Sequence, residues 1–321
     1  MNTKLKDELL NFTNADDAMV KEIVQELWSG YGVIKRIVLI DGDYRSVIVK
    51  EITPPEITNH PRGWNTDASH QRKLRSYEVE MNWYESYGKL CTDKCRIPEH
   101  YFSDRKEGMR MVIEDLDTAG FNFRKQSLNR AEIEQCLSWL ANFHSVFMKT
   151  EPKGLWEVGT YWHLNTRKDE LEAMQEGMLK DSASSIDRML NECEYQTLVH
   201  GDAKLANFCF SEEGKVAAVD FQYVGGGCGM KDVAYFIGSC INENECKEME
   251  EDLLLVYFKE LKVALEKQTM DIQFNNLEKE WRNLYPFAWA DFTRFLVGWS
   301  PSHSKLNSYS ACMVNRALAM I

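Results

Sequence analysis

The sequence predicts an α+β fold, in which a small N-terminal lobe of antiparallel sheet plus helix precedes a larger, mainly helical C-terminal lobe. Residues 33–40 and 46–52 are β-rich runs separated by the turn-forming segment Asp-Gly-Asp-Tyr-Arg, which indicates a hairpin. Residues 131–148 instead carry apolar side chains at helical spacing. With 321 residues, the chain is long enough for two lobes and a sizeable core.

The other N-terminal elements are predicted from periodicity and from turn-forming residues. Residues 14–28 are predicted to form an amphipathic helix, and the Thr-Asn-Ala-Asp sequence at residues 13–16 is suited to its N-cap. The apolar positions that predict this helix are Met19, Val20, Ile23, Val24 and Leu27. A segment rich in proline and glycine, residues 53–67, predicts a loop, and residues 69–90 predict a second helix. Residues 110–116 form an apolar run that predicts a strand.

Residues 198–222, with the sequence LVHGDAKLANFCFSEEGKVAAVDFQ, carry most of the functional information. Asp202 precedes Asn207 by five residues, and Asp220 follows Asn207 by thirteen. Two short apolar runs joined by Ser-Glu-Glu-Gly predict a hairpin that brings Asn207 and Asp220 together. Phosphoryl transfer requires positioning and charge neutralisation, which one carboxylate that orients the attacking hydroxyl and two oxygen ligands for Mg²⁺ would provide.

A simpler interpretation is that His-Gly-Asp forms a surface turn and that Asp220 caps a strand. Either motif alone would favour that interpretation. The motifs together, in this order and at this spacing, predict a phosphoryl-transfer site instead. Lys204, two residues beyond Asp202, is expected to reach the γ-phosphate.

The segment resembles the catalytic and metal-binding loops of the protein-kinase-like fold. It is most similar to the small-molecule branch that contains aminoglycoside phosphotransferases, choline kinases and ecdysteroid-kinase-like proteins, which have His-Gly-Asp where protein kinases have His-Arg-Asp. The resemblance implies a bilobal protein-kinase-like fold, with ATP and Mg²⁺ as cofactors. It further implies that Asp202 is the catalytic base, that Asn207 and Asp220 are metal ligands, and that His200 supports the loop.

The chain departs from protein kinases after this segment. Gln222 stands where they have the glycine of Asp-Phe-Gly, which argues against a mobile activation-loop switch but not against metal binding. Only twelve residues separate Asp220 from Asp232, and no Ala-Pro-Glu follows, so a regulated activation segment would not fit comfortably. We expect Asp232 to cap a helix and, by resemblance, to brace the catalytic loop.

Lys50 ends the second β-rich run in Val-Ile-Val-Lys, which is close to the Val-Ala-Ile-Lys pattern of the kinase strand whose lysine holds the ATP phosphates. A lone lysine at a strand end is usually solvated, but its place upstream of the catalytic segment favours the nucleotide role. Glu78, Glu80 and Glu85 on the following helix compete to be its ion-pair partner. The Tyr-x2-Glu-x3-Tyr spacing is similar to that of the ecdysteroid-kinase-like group, so Glu80 is chosen and Glu78 stays open.

Two further nucleotide contacts are predicted from position in the chain. Gly30 and Gly32 precede the first β-rich run, where a nucleotide loop would lie, although they do not form a G-x-G-x-x-G motif. The segment that contains Glu114 and Leu116 resembles the connection between the lobes in this superfamily, so both residues are candidates to bind the adenine edge through main-chain atoms. We place the boundary between the lobes near Asp115.

Composition excludes several classes of function. The formal net charge is −12, from 38 basic and 50 acidic residues, and no basic cluster is present, which disfavours nucleic acid as a partner. The chain has no run of eighteen apolar residues and no signal-peptide core at its start, so a membrane association is not expected. Nine scattered cysteines fit a reducing cytoplasm, and Cys91 and Cys95 are expected to be ordinary thiols.

The C-terminal half contains candidate substrate determinants. Acidic side chains recur at Asp169, Glu170, Glu172 and Glu176, and aromatic ones at Trp281, Tyr285, Trp289, Phe292, Phe295 and Trp299. Acidic groups and aromatic faces together would bind a cationic amine or an aminoglycoside. A solvated helix face and an ordinary core stripe are the favoured interpretations, with Trp289 and Asp291 as the pair of greatest interest. His144 is expected to be a core histidine, and residues 161–163 form an aromatic patch without an assigned role.

The sequence therefore predicts an ATP- and Mg²⁺-dependent kinase that transfers the γ-phosphate to a hydroxyl of a small molecule, such as an amino-alcohol, an aminoglycoside or a sterol-like acceptor. Residues 1–115 would form the nucleotide-binding lobe, and residues 116–321 would form the catalytic and substrate-binding lobe. A nucleotide-binding pseudokinase is the main alternative, and a protein kinase or a scaffold is less favoured. The acceptor, the choice between ATP and GTP and the oligomeric state stay open.

Overall fold

The protein folds into two lobes, as the sequence predicts. The computed structural model describes residues 1–54, 67–106, 108–268 and 270–321. A five-stranded antiparallel sheet with helices against it comes first, and a mainly helical body follows. The predicted loop at residues 53–67 lies almost wholly outside the described residues.

The sheet of the N-terminal lobe has the strand order β1-β2-β3-β5-β4, with every neighbouring pair antiparallel. Its strands are β1 (Asp17–Glu26), β2 (Gly32–Ile40), β3 (Ser46–Ile52), β4 (His100–Asp104) and β5 (Met109–Glu114). The predicted hairpin is confirmed as β2 and β3, and the predicted strand at residues 110–116 is confirmed as β5.

The alternation of side chains along β3 decides on which face of the sheet Lys50 lies. Helix α1 (Thr3–Thr13) packs Leu5 and Leu9 against one face of the sheet, where Val47 and Val49 are fully buried. Since successive side chains of a strand point to opposite faces, Lys50 projects from the other face. That face is covered by helix α2 (Asp67–Ser86), which corresponds to the predicted helix at residues 69–90.

The prediction of a helix over residues 14–28 is wrong. Asn14 adopts the left-handed conformation with φ of 52° and ends α1, after which the chain runs as the edge strand β1. The pairing of β1 with β2 is irregular just after Val20 and again just after Ile23. Each irregularity shifts the alternation of side chains, so the apolar residues recur at a spacing that imitates a helix. Consistent with an edge strand, Met19 and Ile23 are more than half exposed.

Helices make up most of the C-terminal lobe. They are α3 (Arg130–Val146), α4 (Lys168–Glu172), α5 (Met178–Asp181), α6 (Ala183–Asn191), α7 (Met230–Cys240), α8 (Glu243–Glu266), α9 (Phe274–Trp299) and α10 (Ser308–Leu318). Two small antiparallel sheets pair β6 (Thr197–Val199) with β9 (Gly225–Gly227) and β7 (Phe208–Phe210) with β8 (Val216–Ala218). The hairpin predicted between Asn207 and Asp220 is thereby confirmed.

An aromatic contact joins the two lobes. Trp83 of α2 stacks on Phe221, with ring centroids 4.8 Å apart, and both side chains are fully buried. Phe143 and Phe147 of α3 complete the cluster. Because Phe221 directly follows Asp220, this contact fixes that carboxylate relative to the helix that faces Lys50.

Among the described residues, no helix combines the length and the apolar character that crossing a membrane requires.

Candidate active site

The His-Gly-Asp loop leaves β6 in a conformation that only glycine accommodates at its centre. Gly201 has φ of +79°, which side chains on L-residues rarely allow. A Cβ atom there would lie 2.1 Å from the carbonyl oxygen of Tyr223. The packing of this loop therefore requires glycine at the position where protein kinases have the arginine of His-Arg-Asp.

Asp232, in the first turn of α7, holds the loop from behind. Its carboxylate accepts hydrogen bonds from the backbone N–H groups of His200 (2.6 Å) and Gly201 (2.9 Å). It also lies 3.1 Å from Nε2 of His144, whose Nδ1 is 2.7 Å from the Tyr257 hydroxyl. His144 is fully buried, so its expected core role is confirmed. The N-cap position of α7 is Gly229, so Asp232 supports the loop rather than capping the helix.

His200 ties the loop to the neighbouring hairpin. Its Nε2 lies 3.0 Å from the carbonyl oxygen of Val219, and its Nδ1 accepts a hydrogen bond from the backbone N–H of Asp202. The Val219 N–H in turn donates to the carbonyl oxygen of Asn207. These hydrogen bonds hold Asp202, Asn207 and Asp220 close together although the three residues are separated in sequence.

Asp202 is buried, and its two oxygens have different surroundings. Oδ2 accepts hydrogen bonds from Nζ of Lys204 (2.8 Å) and from Nδ2 of Asn207 (3.1 Å). Oδ1 is buried and has no hydrogen-bond partner among the described residues. Burial raises the pKa of Asp202, and the positive charge of Lys204 opposes that rise. A buried carboxylate oxygen without a donor is suited to accept a hydrogen bond from a bound hydroxyl.

Asp220 has the strained left-handed conformation, with φ of 70°. Its Oδ1 accepts a hydrogen bond of 2.7 Å from Nε2 of Gln222, whose Oε1 accepts one of 3.2 Å from the Ser76 hydroxyl of α2. Burial opposes ionisation, but the charges of Lys50 and Lys204 outweigh it and lower the pKa of Asp220. Gln222 thus connects this carboxylate to α2, which the glycine of protein kinases would not do.

Lys50 and Glu80 form a buried ion pair, with Nζ and Oε2 2.5 Å apart. Burial raises the pKa of Glu80, and the charge of Lys50 counteracts it. The competing acids of α2 face elsewhere, since Glu78 is exposed and pairs with Arg75. Glu85 pairs with Arg105.

A cavity of about 460 Å³ lies between the lobes, and Lys50 and Glu80 are not among its lining residues. Asp202, Lys204, Asn207 and Asp220 line its floor, and α2 contributes Arg72 and Lys73. The aromatic residues of its wall are Trp28, Tyr31, Tyr161, Tyr223, Tyr235, Phe295 and Trp299. A pocket of this size with a few convergent polar groups is typical of a small-molecule site.

The other residues that were predicted to contact the nucleotide are not among the described residues that line this cavity. Ser29 and Tyr31 line it, whereas Gly30 and Gly32 do not. The side chain of Glu114 pairs with Arg96. Leu116 is buried, and its carbonyl oxygen accepts a hydrogen bond from Phe121.

The suspected substrate determinants of the C-terminal half are mostly structural. Asp291 is fully buried and accepts hydrogen bonds from Arg294 (2.7 Å) and from Nε1 of Trp162 (3.0 Å). Trp289 packs in the core, and Glu170 pairs with Arg167. The favoured interpretation as core is confirmed for Trp289 and Asp291, whereas Glu170 is buried and does not lie on a solvated helix face.

Sequence reasoning missed several residues of the wall. Tyr161 contacts the rings of Tyr223, Tyr235 and Phe295, so the unassigned patch at residues 161–163 supplies the centre of the aromatic wall. The density of aromatic residues at this patch was the one available signal. Arg72 and Lys73 left none, because charges on a helix usually face solvent.

The donor set fits a hard divalent cation that is shared with a phosphate. Nδ2 of Asn207 is used by Asp202, which leaves its Oδ1 without a hydrogen bond from the described residues, and Asp220 is held ionised. Among the described residues, no cluster of three His, Cys, Asp or Glu side chains forms a complete metal cage. Mg²⁺ commonly binds one or two carboxylates together with phosphate oxygens and water, so two protein ligands suffice.

The two-lobed fold and this arrangement of residues define the protein-kinase-like superfamily of small-molecule kinases. The model of the ecdysteroid kinase-like family matches residues 45–154 and 157–270, and the chain belongs to this family. No curated protein matches the chain.

Solved structures share the fold at low sequence identity. A Ralstonia eutropha protein provisionally named an aminoglycoside phosphotransferase is 13% identical, with a TM-score of 0.55 over 99% of this chain and 95% of that one. The choline kinase LicA from Streptococcus pneumoniae is also 13% identical, with a TM-score of 0.49 over 99% and 98% of the two chains. A Plasmodium vivax ethanolamine kinase is 10% identical, with a TM-score of 0.48 over 94% and 79%.

Proposed function

We propose that this protein transfers the γ-phosphate of ATP, in the presence of Mg²⁺, to a hydroxyl group of a small molecule. The observation that carries the proposal is the buried, unpartnered Oδ1 of Asp202 on a cavity floor that also presents Asn207 and Asp220. The buried pair of Lys50 and Glu80 lies on the face of the sheet that is turned towards α2. In this proposal residues 1–115 bind the nucleotide, and the remainder of the chain supplies the catalytic groups.

Asp202 has the central chemical role in this proposal. Its Oδ1 accepts the hydrogen bond of the acceptor hydroxyl and aims the hydroxyl oxygen at the γ-phosphate. It takes up the proton as the new P–O bond forms and the bond from the γ-phosphorus to the bridging oxygen breaks, with ADP as the leaving group. Lys204 favours the ionised form of the carboxylate through its contact with Oδ2 and, as a residue of the cavity floor, would approach the transferred phosphate. Neither role requires a large movement of the loop, because Asp232 already holds it.

The cofactors are assigned to the remaining polar groups. Asn207 and Asp220 would hold Mg²⁺, which when bound neutralises charge on the phosphates. Lys50 would contact the α- and β-phosphates, with Glu80 fixing its position. Main-chain atoms near Glu114 and Leu116 would read the base, and the turn that contains Gly30 and Gly32 would lie over the phosphates.

The acceptor is proposed only as a class. The family's name points to a sterol-like alcohol, and an amino-alcohol or an aminoglycoside stays in the panel to be tested. The nine cysteines are all free, which supports a reducing cytoplasm as the place of action.

The test measures Mg²⁺-dependent ATP binding and then phosphate transfer to that panel, with product detection by mass spectrometry. Asp202→Asn is expected to keep ATP binding and lose transfer, whereas Asp220→Asn is expected to weaken Mg²⁺-ATP binding. The matched control is Asp252→Asn, since this carboxylate is exposed on α8. A wild-type protein that binds Mg²⁺-ATP and phosphorylates nothing in cell extract would favour the pseudokinase alternative.

A further inference from the structure

Arg72 is a cation of the cavity wall that no described carboxylate pairs with. It projects from α2 and donates hydrogen bonds to the carbonyl oxygen of Thr166 (2.7 Å) and to the Ser69 hydroxyl (3.3 Å). A guanidinium group has five N–H donors, so these two contacts leave donors for a ligand. Among the described residues, no acidic side chain lies within ion-pair distance of it.

Two other cations of the wall have carboxylate partners, whereas Lys73, the second cation that α2 contributes, has none among the described residues and lies 3.5 Å from Oε1 of Gln222. Lys204 is paired with Asp202, and Arg167 is paired with Glu170 at 3.0 Å. Asp202 and Asp220 are the only acidic residues among the described wall residues, and both belong to the catalytic floor. Arg72 and Lys73 therefore bring positive charge to the cavity wall that no described carboxylate within ion-pair distance neutralises. Burial, followed by the charge of Arg167, lowers the pKa of Arg72, and the charges of Glu170 and Asp169 oppose that lowering.

The aromatic wall does not form an open cage for an ammonium group. The guanidinium of Arg167 lies over the ring of Phe295, 5.2 Å from its centroid. Nζ of Lys305 lies over the ring of Tyr235 at 4.8 Å. Two of the rings that would attract a cationic acceptor thus already carry cations of the protein itself. An incoming ammonium group would meet these charges, whereas a carboxylate would be attracted by them.

From these contacts we infer that the acceptor carries an anionic group, of the carboxylate type, which Arg72 binds while the body of the acceptor lies against the aromatic wall. The inference rests on the proposed function, because it names the acceptor of the same site. A planar carboxylate matches the paired donors of a guanidinium, so the contact would orient the acceptor as well as attract it. The acceptor's hydroxyl would then lie at the opposite end, beside Asp202.

The probes are three biphenyl compounds with a hydroxymethyl group on one ring and a carboxylate, a carboxamide or an aminomethyl group on the other. Their affinities for the protein are measured by calorimetry in the presence of Mg²⁺ and a non-hydrolysable ATP analogue, so that turnover is not needed. The carboxylate is expected to bind most tightly and the ammonium compound most weakly. Equal affinities, tighter binding of the ammonium compound or no binding of any probe would overturn the inference.

Variants of Arg72 test whether this residue causes the preference for the carboxylate probe. Arg72→Gln should weaken binding of the carboxylate probe by about 10-fold to 100-fold, the size expected for a charge-assisted hydrogen bond, and Arg72→Lys should restore part of it. Arg75→Gln is the matched control, because Arg75 also joins α2 to the C-terminal lobe, through the carbonyl oxygens of Gly154 and Leu155, but does not line the cavity. An equal loss in both variants would show that Arg72 acts only as a tether.

Two further measurements distinguish a failure of this inference from a failure of the proposed function. If Arg72→Gln weakens the ATP analogue and leaves the carboxylate probe unaffected, the anion at Arg72 is a nucleotide phosphate and the inference is wrong. Asp202→Asn should keep the preference for the carboxylate probe while it loses phosphate transfer. A wild-type protein that prefers the carboxylate probe but transfers no phosphate to any acceptor contradicts the proposed function and leaves the anion subsite in place.

Discussion

Replacement of Gly201 by alanine tests whether the geometry of the catalytic loop depends on this glycine. Gly201 and Gly214 both have φ of +79°, but their surroundings differ. A Cβ atom at Gly214 would meet nothing within 4 Å. At Gly201 it would lie 2.1 Å from the carbonyl oxygen of Tyr223 and 2.8 Å from the backbone nitrogen of Thr160. The two variants therefore share the backbone penalty, and only Gly201→Ala adds a steric one.

The magnitudes follow from these distances. The left-handed conformation costs alanine about 1 kcal/mol more than glycine. Since Cβ atoms essentially never approach other heavy atoms within 3.0 Å, the loop and the Tyr223 segment must separate by about 1 Å. Overpacking of this kind costs about 1–3 kcal/mol. We expect Gly201→Ala to lower the free energy of unfolding by about 2–4 kcal/mol, and Gly214→Ala by about 1 kcal/mol.

Activity should separate the two variants further. A displacement of about 1 Å next to Asp202 is expected to lower kcat about 100-fold, whereas Gly214→Ala should keep the wild-type kcat. Urea unfolding measures the stability of each variant, and a phosphate-transfer assay measures kcat. Equal losses of stability in the two variants, or a wild-type kcat for Gly201→Ala, would refute the steric argument.

Three other perturbations have definite expected outcomes. Lys50→Met should lower the free energy of unfolding by about 3–5 kcal/mol, because it leaves Glu80 buried without a partner. The double variant Lys50→Met with Glu80→Gln should recover most of the stability but not the activity. Urea unfolding measures the stability, and the KM for ATP measures the effect on activity. In the proposed reaction Asp202 acts as a carboxylate, and burial raises its pKa, so activity should be lost as the pH falls through that raised pKa. Lys204→Met removes the charge that opposes the rise, so the acidic limb of the kcat/KM profile should move to higher pH. Asp232→Asn should cost about 1.5–3 kcal/mol in urea unfolding and should lower kcat, since the two backbone N–H groups donate to different carboxylate oxygens and asparagine replaces one of these with an NH2 group.

Controls make each outcome specific. Lys35→Met removes a partly exposed ion pair with Glu51 on the neighbouring strand and should cost less than about 1 kcal/mol. A comparable loss in Lys50→Met would mean that burial of the pair is not decisive. An acidic limb that stays in place in Lys204→Met would show that Lys204 does not control the Asp202 carboxylate. A wild-type free energy of unfolding in Asp232→Asn would show that the loop keeps its conformation without this carboxylate.

Local patterns predicted the hairpins and the helices α2 and α3. The hairpin of β2 and β3 and the hairpin of β7 and β8 follow from turn residues between short apolar runs, and such signals depend on few neighbours. The helix predicted at residues 14–28 failed because the two irregularities of β1 arise from its pairing with β2. Pairing is a long-range contact, and spacing along the chain does not report it.

The residues of the floor were predictable from the sequence because they lie within one segment of 25 residues, LVHGDAKLANFCFSEEGKVAAVDFQ. Their oxygen atoms and their spacing around a hairpin follow from local chemistry. The choice of Glu80 over Glu78 followed from a resemblance, and the structure pairs Glu80 with Lys50 because of the direction in which α2 lies against the sheet.

The sequence by itself determined the two-lobed α+β fold and the Asp202, Asn207 and Asp220 set, whereas the need for glycine at position 201 follows from packing against Tyr223 and Thr160. Only the tertiary structure decided what surrounds them. The acidic run and the Trp289 and Asp291 pair lie away from the cavity, whereas Arg72 and Tyr161 line it. The physical reason is that a cavity wall is built from segments far apart in the chain, and its net charge depends on which side chains already pair with one another.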